Sequence, residues 1–218
     1  MVEVIIGIDI GLKGAIAVIN TTDPTERSRR GSMTWDTPLK RIKKFRKRGK
    51  PKTIATYDIN KIKDILSGII INNPGDTVIC FVEGAQILPK GFTIKANTGL
   101  AKCQGILEGV LTSIGIRYYI INPQDWQKAI GIAGKKKSGD ANVQMAKRLH
   151  PDIQFETAKG RVLDGRADAL LIAEYGKSYC HSQEISNGAT FEAMTTDVYN
   201  SVGSVDELME ELENEDEG

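Results

Sequence analysis

Two histidines and three cysteines are all that 218 residues offer of the side chains from which zinc sites and disulfide frameworks are built. His150 precedes Pro151 at a helix end and His181 falls in a polar stretch, so a surface role is the expectation for both. Cys80, Cys103 and Cys180 are far apart and odd in number, which argues against disulfides and suits a reducing cytosol. No apolar run is long enough to cross a bilayer. Met1 leads at once into an apolar strand, without the charged and apolar regions of a secretory leader. The expectation is a cytoplasmic, non-secreted protein with no membrane partner, in which any metal chemistry uses carboxylates.

Charge of one sign is also missing, locally and in both directions. Residues 197 to 218 hold nine acids and no base, and removing those nine from a net charge of +1 leaves the rest at +10. The stretch KRIKKFRKRGKPK, Lys40 to Lys52, has nine bases and no acid in thirteen residues. A basic body with an acidic extension suggests a domain that binds a polyanion and a solvated or self-masking tail. Gly49 and Pro51 interrupt the basic stretch, which reads as an exposed loop or short helix able to neutralise a nucleic-acid backbone. Lys135, Lys136 and Lys137 form a second basic cluster. At 40% apolar residues, the chain can pack one sizeable α/β domain. We expect that domain over residues 1–177, with a basic insertion at 20–52, and an acidic, disordered tail over 178–218.

What is present is a repeated oddity. VIIGIDIGLKGAIAVI, residues 4 to 19, sets Asp9 at the end of an apolar strand before a glycine turn. Burying an ionised carboxylate without a partner costs several kcal/mol or more. An Asp capping a glycine turn through its own backbone is the plainer alternative. TVICFVEGA, residues 77 to 85, repeats the pattern with Glu83. With a helix from Ile59 to about Asn73 between them, the two strands make a βαβ-like unit and lie parallel. Neighbouring strands are about 4.8 Å apart, so carboxylates at matching ends can share one cation. Ser32 to Pro38 suggests another strand, as does RYYIIN from Arg117. GFTIKANTGLAKCQGILEGVLTSIG has helical period, with Gly99, Gly105 and Gly109 spaced for close approach to the sheet or a second copy. Residues 123 to 149 suggest two short helices. In the last helix, LDGRADALLIAEYG, Asp164 and Asp168 lie one turn apart on one face. Like charges at that spacing repel, so a cation is again implied; Asp164 alone has the alternative of capping the helix.

Taken in order, GIDIG, FVEG, GLAKCQGILEGVL, INPQDWQKAIG, a lysine loop and DGRADALLIAEYG are similar to the RuvC-type Holliday junction resolvases of the ribonuclease H-like superfamily. The resemblance runs from Met1 to about Tyr175. It implies an α/β, ribonuclease H-like fold: a five-stranded mixed sheet with helices on both faces. It implies that Asp9, Glu83, Asp164 and Asp168 are catalytic and hold two Mg²⁺ ions per site, with Mn²⁺ able to substitute. The active unit would be a homodimer that nicks opposing strands of a four-way DNA junction. DNA contacts are expected from Lys13, Lys40, Arg41, Lys43, Lys44, Arg46, Lys47, Arg48, Lys90, Lys95, Lys102, Lys135, Lys136 and Lys137. Many relatives separate the last two acids by three residues, whereas these are four apart. An aromatic that opens the junction often follows the strand-end Glu; here GAQILPKGF leaves Ile87 or Phe92 for that role. The basic insertion and acidic tail are reminiscent of viral or phage members, placing the protein at a nucleoid or in an infected cell.

Two other classes share features of this sequence. GIDIG also opens the phosphate-binding hairpin of sugar kinases and actin-like ATPases, but those need two such domains. A non-catalytic nucleic-acid-binding scaffold would leave four carboxylates unexplained beside a polyanion. ATP turnover, and binding without cutting, discriminate them.

Overall fold

The computed structural model describes residues 4–21, 31–45, 50–85, 94–132 and 140–185. They build the first of two units of the chain, Met1–His181; the second, Ser182–Gly218, lies outside the described residues apart from 182–185.

The apolar, β-branched runs become strands. β1 (Val4–Asp9) and β2 (Ala15–Asn20) pair antiparallel across the glycine turn, and β3 (Met33–Asp36) adds to β2. After β4 (Leu39–Lys44), β5 (Lys52–Tyr57) and helix α1 (Ile59–Asn72), strand β6 (Val78–Glu83) returns parallel to β1. Helix α2 (Ile94–Ser113) leads to β7 (Arg117–Ile121), parallel to β6. Helices α3 (Pro123–Ala129), α4 (Asp140–Leu149) and α5 (Asp164–Ile185) follow. The result is a five-stranded mixed sheet in the order β3-β2-β1-β6-β7, the expected fold class.

Strand alternation splits the core into two layers. Val4, Ile6, Ile8, Cys80 and Val82 face α1 and α2, through Ile62, Leu66, Leu107 and Leu111. Ile5, Ala15, Ala17, Ile79 and Phe81 face α3, α4 and α5, through Trp126, Val143, Ala169 and Ala173. The second layer is closest where its residues are smallest. A Cβ on Gly7 would collide with Ala169 O and Ala173 N, so α5 rests directly on the backbone of β1.

Two expectations are corrected. The ends of the Lys40 to Lys52 stretch are neither loop nor short helix: Lys40–Lys44 belongs to β4 and Lys52 to β5, which pair as a separate antiparallel ribbon, while residues 46–49 lie outside the described residues. Ile42 pairs with Ile54 across it, and Thr53, Thr56 and Tyr57 supply strand-forming residues that the density of charge obscured. His150 is not a surface group. Its ring lies between Ser32 Oγ (2.8 Å from Nδ1) and Glu174 Oε1 (3.1 Å from Nε2), because α4 stops just before it and turns the ring in toward β3 and α5. Glu174 is held below its usual range, the pull of His150 and Lys177 outweighing its burial.

Candidate active site

Strand parity explains why the two strand-end acids meet. Asp9 is in phase with Ile5 and Gly7, and Glu83 with Ile79 and Phe81, so both point to the face covered by α5. The parallel register pairs Gly7 with Phe81 and Ile8 with Val82, which places Asp9 and Glu83 side by side at the carboxyl ends of adjacent strands. Their carboxyls hydrogen-bond to each other.

Helix α5 brings the other two acids. Its first residue is Asp164, whose Oδ1 accepts from the Gly165 N–H (3.1 Å); Asp168 follows one turn later. Gly165 permits the approach, since a Cβ there would overlap Lys13 O and stand 3.1 Å from Asp9 Oδ2. Asp9, Asp164 and Asp168 thereby line one open cleft of about 250 Å³, together with the Gly11–Gly14 turn and Lys13. Asp164 and Lys13 are exposed; Asp9, Glu83 and Asp168 are half-buried.

The electrostatics are those of crowded acids. Burial raises Asp9 well above the usual carboxylate range, with Glu83, Asp168 and Asp164 adding repulsion. Burial also raises Glu83, opposed by hydrogen bonds from Asp9 and from Trp126 Nε1 (3.3 Å). Asp168 is pushed up to about 6 by burial; the Asn142 Nδ2 hydrogen bond (2.6 Å) opposes this, and Glu83 and Asp164 reinforce it. Among the described residues, no Lys, Arg or His forms an ion pair with any of the four. Nor, as they stand, are any three His, Cys, Asp or Glu side chains among those residues grouped to hold a metal ion. The chemistry of the donors nevertheless suits one class of ion. An all-oxygen set whose members raise one another's affinity for positive charge fits a hard divalent cation.

Three residues that sequence reasoning missed shape this cleft. Trp126 is 1% exposed and aims its indole N–H at Glu83. It is set there by α3, whose Asn122 side chain accepts from the Gln124 N–H (2.9 Å) and whose first residue is Pro123. Asn142 on α4 donates to Asp168. Tyr57, at the end of β5, accepts from the Gly11 N–H (2.8 Å) and donates to Gly11 O (3.3 Å). The only sequence signal was a lone Trp inside INPQDW; Asn142 and Tyr57 are brought in from distant elements and had none.

Of the expected DNA contacts, Lys13 lines the cleft, Lys102 is exposed on α2, and Lys40, Arg41, Lys43 and Lys44 are exposed along β4. Lys95 falls in the first turn of α2. Arg46, Lys47, Arg48, Lys90, Lys135, Lys136 and Lys137 lie outside the described residues, as do Ile87 and Phe92.

No protein-family model matches this chain, and a search of curated proteins finds no match. Among solved structures, RuvC of Thermus thermophilus is similar over 82% of this chain and 96% of its own, at 15% identity and a TM-score of 0.48. T. thermophilus RuvC in complex with Holliday junction substrate is similar over 83% and 96%, at 12% identity and the same TM-score of 0.48.

Proposed function

We propose that this protein is a divalent-metal-dependent endonuclease acting on branched DNA, with the paired nicking of four-way junctions as its reaction. One observation carries the reading: acids from β1 and α5 line a cleft that also holds Lys13, Glu83 of β6 lies against Asp9, and none of the four forms an ion pair with a Lys, Arg or His among the described residues. Such a site repels a phosphodiester unless positive charge is supplied with it.

Asp9, Glu83, Asp164 and Asp168 are the residues to hold Mg²⁺ or Mn²⁺, which when bound supplies Lewis acidity for a hydrolytic water and the leaving oxygen. The chain's own residues do the rest. Asp9, once relieved of the proton it shares with Glu83, presents its oxygens to the cleft with Glu83 directly beside it. Asn142 fixes the Asp168 carboxylate and Trp126 fixes Glu83, so both are held before substrate arrives. Lys13 at the rim and the exposed bases of β4 meet the phosphates on either side.

A homodimer would bring two such clefts to opposing strands. Gly105 and Gly109, exposed on one side of α2 with open space beyond their own helix, leave that helix open to close approach by a second copy. A role in recombination or genome processing, and a phage-like affiliation, rest on the resemblance and the charge pattern of the sequence.

The test uses labelled four-way junction, flap and duplex, each with Mg²⁺ and with EDTA. Wild type should cut branched DNA in Mg²⁺ alone. Asp9→Asn should abolish cutting and leave junction binding within about three-fold, because the basic surface is untouched. Full cleavage by Asp9→Asn overturns the assignment, and binding without cutting by wild type turns it into a scaffold.

A further inference from the structure

The β4–β5 ribbon has three features that contact with a single phosphate backbone does not explain. The first is Phe45, the residue after β4, which is 81% exposed, more than any other large apolar side chain among the described residues. It stands beside Lys44 at the outer end of the ribbon, away from the Leu39–Tyr57 pair that joins the ribbon to the body. The second is that bases occupy both faces. By register and alternation, Lys40, Lys44 and Lys52 share one face, and Arg41 and Lys43 share the other with Thr53 and Ala55. A ribbon laid on one duplex presents one face to it and leaves the other unused. The third is that Lys44 and Lys52 are directly opposed across the strands, a like-charge pairing that weakens the ribbon by itself.

A two-stranded ribbon is marginal alone, and this one is secured at its base. The Thr37 N–H donates to Gly14 O (2.9 Å), the Asp58 N–H to Pro38 O (2.8 Å), and Tyr57 holds Gly11 at both backbone atoms. Both feet therefore grip the turn that follows Asp9.

A polyanion on each side, with an apolar ring in front, describes a place where two nucleic-acid strands separate and leave bases unstacked. Aromatic rings take up such bases by stacking, and every base has a face to offer. We propose that the β4–β5 ribbon is a binding element for unpaired nucleotides at a DNA branch: Phe45 stacks on an unpaired base, while Lys40, Lys44 and Lys52 on one face and Arg41 and Lys43 on the other contact the phosphates of two diverging strands. This rests on the nuclease reading only in taking DNA as the ligand.

The experiment measures binding in EDTA, so that nothing is cut. It compares a four-way junction, a duplex with an internal unpaired stretch and a fully paired duplex. Phe45→Ala should weaken the first two by about five-fold or more and leave the paired duplex within about two-fold. Phe45→Trp should keep wild-type affinity and add an emission component that unpaired DNA quenches. Both substitutions are at an exposed position, and an unchanged melting temperature confirms that the fold is intact. Equal loss on all three DNAs, or no loss on any, overturns the proposal; so does a change in oligomeric state without a change in DNA binding, which would make Phe45 a protein contact. If wild type cuts junctions in Mg²⁺ while Phe45→Ala binds all three normally, the ribbon proposal falls and the nuclease reading stands. If wild type cuts nothing but Phe45→Ala shows the selective loss, the reverse holds.

Discussion

Asp9 leaves β1 into a turn that has little to hold it. Gly11 has a φ of 130°, open to glycine and to few other residues, and the one backbone bond inside the turn is Gly14 N–H to Gly11 O at 3.3 Å. Tyr57, 2% exposed, supplies what is missing by bonding both polar atoms of Gly11. Burial raises its hydroxyl above the usual range, so it remains a neutral donor and acceptor at any working pH. Tyr57→Phe keeps the ring and removes only the hydroxyl. It should cost about 1–3 kcal/mol, the range for a hydrogen bond lost with its partner left behind, and lower the rate of cutting more than DNA affinity measured in EDTA. An unchanged melting temperature together with an unchanged rate would show that the turn holds itself. Tyr57 is 46 residues from Gly11 in sequence, and Trp126 is 43 from Glu83, so no local spacing points to either pairing.

At the scale of elements, the site depends on how closely α5 lies on β1. Gly7, Ala15 and Ala17 on the sheet and Ala167, Ala169 and Ala173 on the helix are all small, which is what allows the contact. Gly7→Ala would put a methyl where Ala173 N is 2.5 Å and Ala173 Cβ 3.0 Å away, with Ala169 O nearer still. Backbone on both sides cannot yield as a flexible side chain does, so α5 must shift and carry Asp164 and Asp168 with it. The substitution should destabilise by about 1–3 kcal/mol and depress cutting further than the fall in stability accounts for. Gly68→Ala in the middle of α1 meets no atom within 4 Å and is the control. It should be neutral, or stabilise by up to about 1 kcal/mol. Chemical denaturation of both variants decides the matter: equal effects would mean that the α5–β1 approach is loosely packed.

Over the whole molecule, the divided charge is the property with most reach. Eight acids lie between Asp206 and Glu217, in a chain whose remainder is strongly basic. If the protein binds DNA as proposed, a segment so charged should compete with DNA for the basic residues, through an attraction that physiological salt screens within about 8 Å. Ending the chain after Ser204 should therefore tighten DNA binding at low salt, with the difference shrinking as salt rises. The assay is a titration of wild-type and truncated protein against one junction at several ionic strengths. If truncation changes nothing at any salt, the tail does not compete with substrate, and solubility or a partner is its better explanation.

Much of this protein is written in local pattern. Apolar runs ending in Asp9 and Glu83, and acids four apart at the head of a helix, are enough to expect the sheet, the parallel pairing of β1 and β6, and four candidate carboxylates, because strand and helix periods are properties of a few consecutive residues. Alternation puts Asp9 in phase with Ile5 and Gly7, and Glu83 with Ile79 and Phe81; that α5 covers this face is decided by the tertiary structure. Basic density hides the ribbon, since the strand propensity of Thr53, Thr56 and Tyr57 is outweighed by the surrounding charge, of which Lys40, Arg41, Lys43, Lys44 and Lys52 are exposed on the two strands. His150 was misplaced because its partners, Ser32 and Glu174, come from other elements. The supports of the cleft were beyond the sequence for the same reason. Tyr57 under Gly11, Trp126 beside Glu83 and Asn142 on Asp168 are contacts between segments far apart in the chain, and only the tertiary placement of the β4–β5 ribbon and of the helices decides which of them meet.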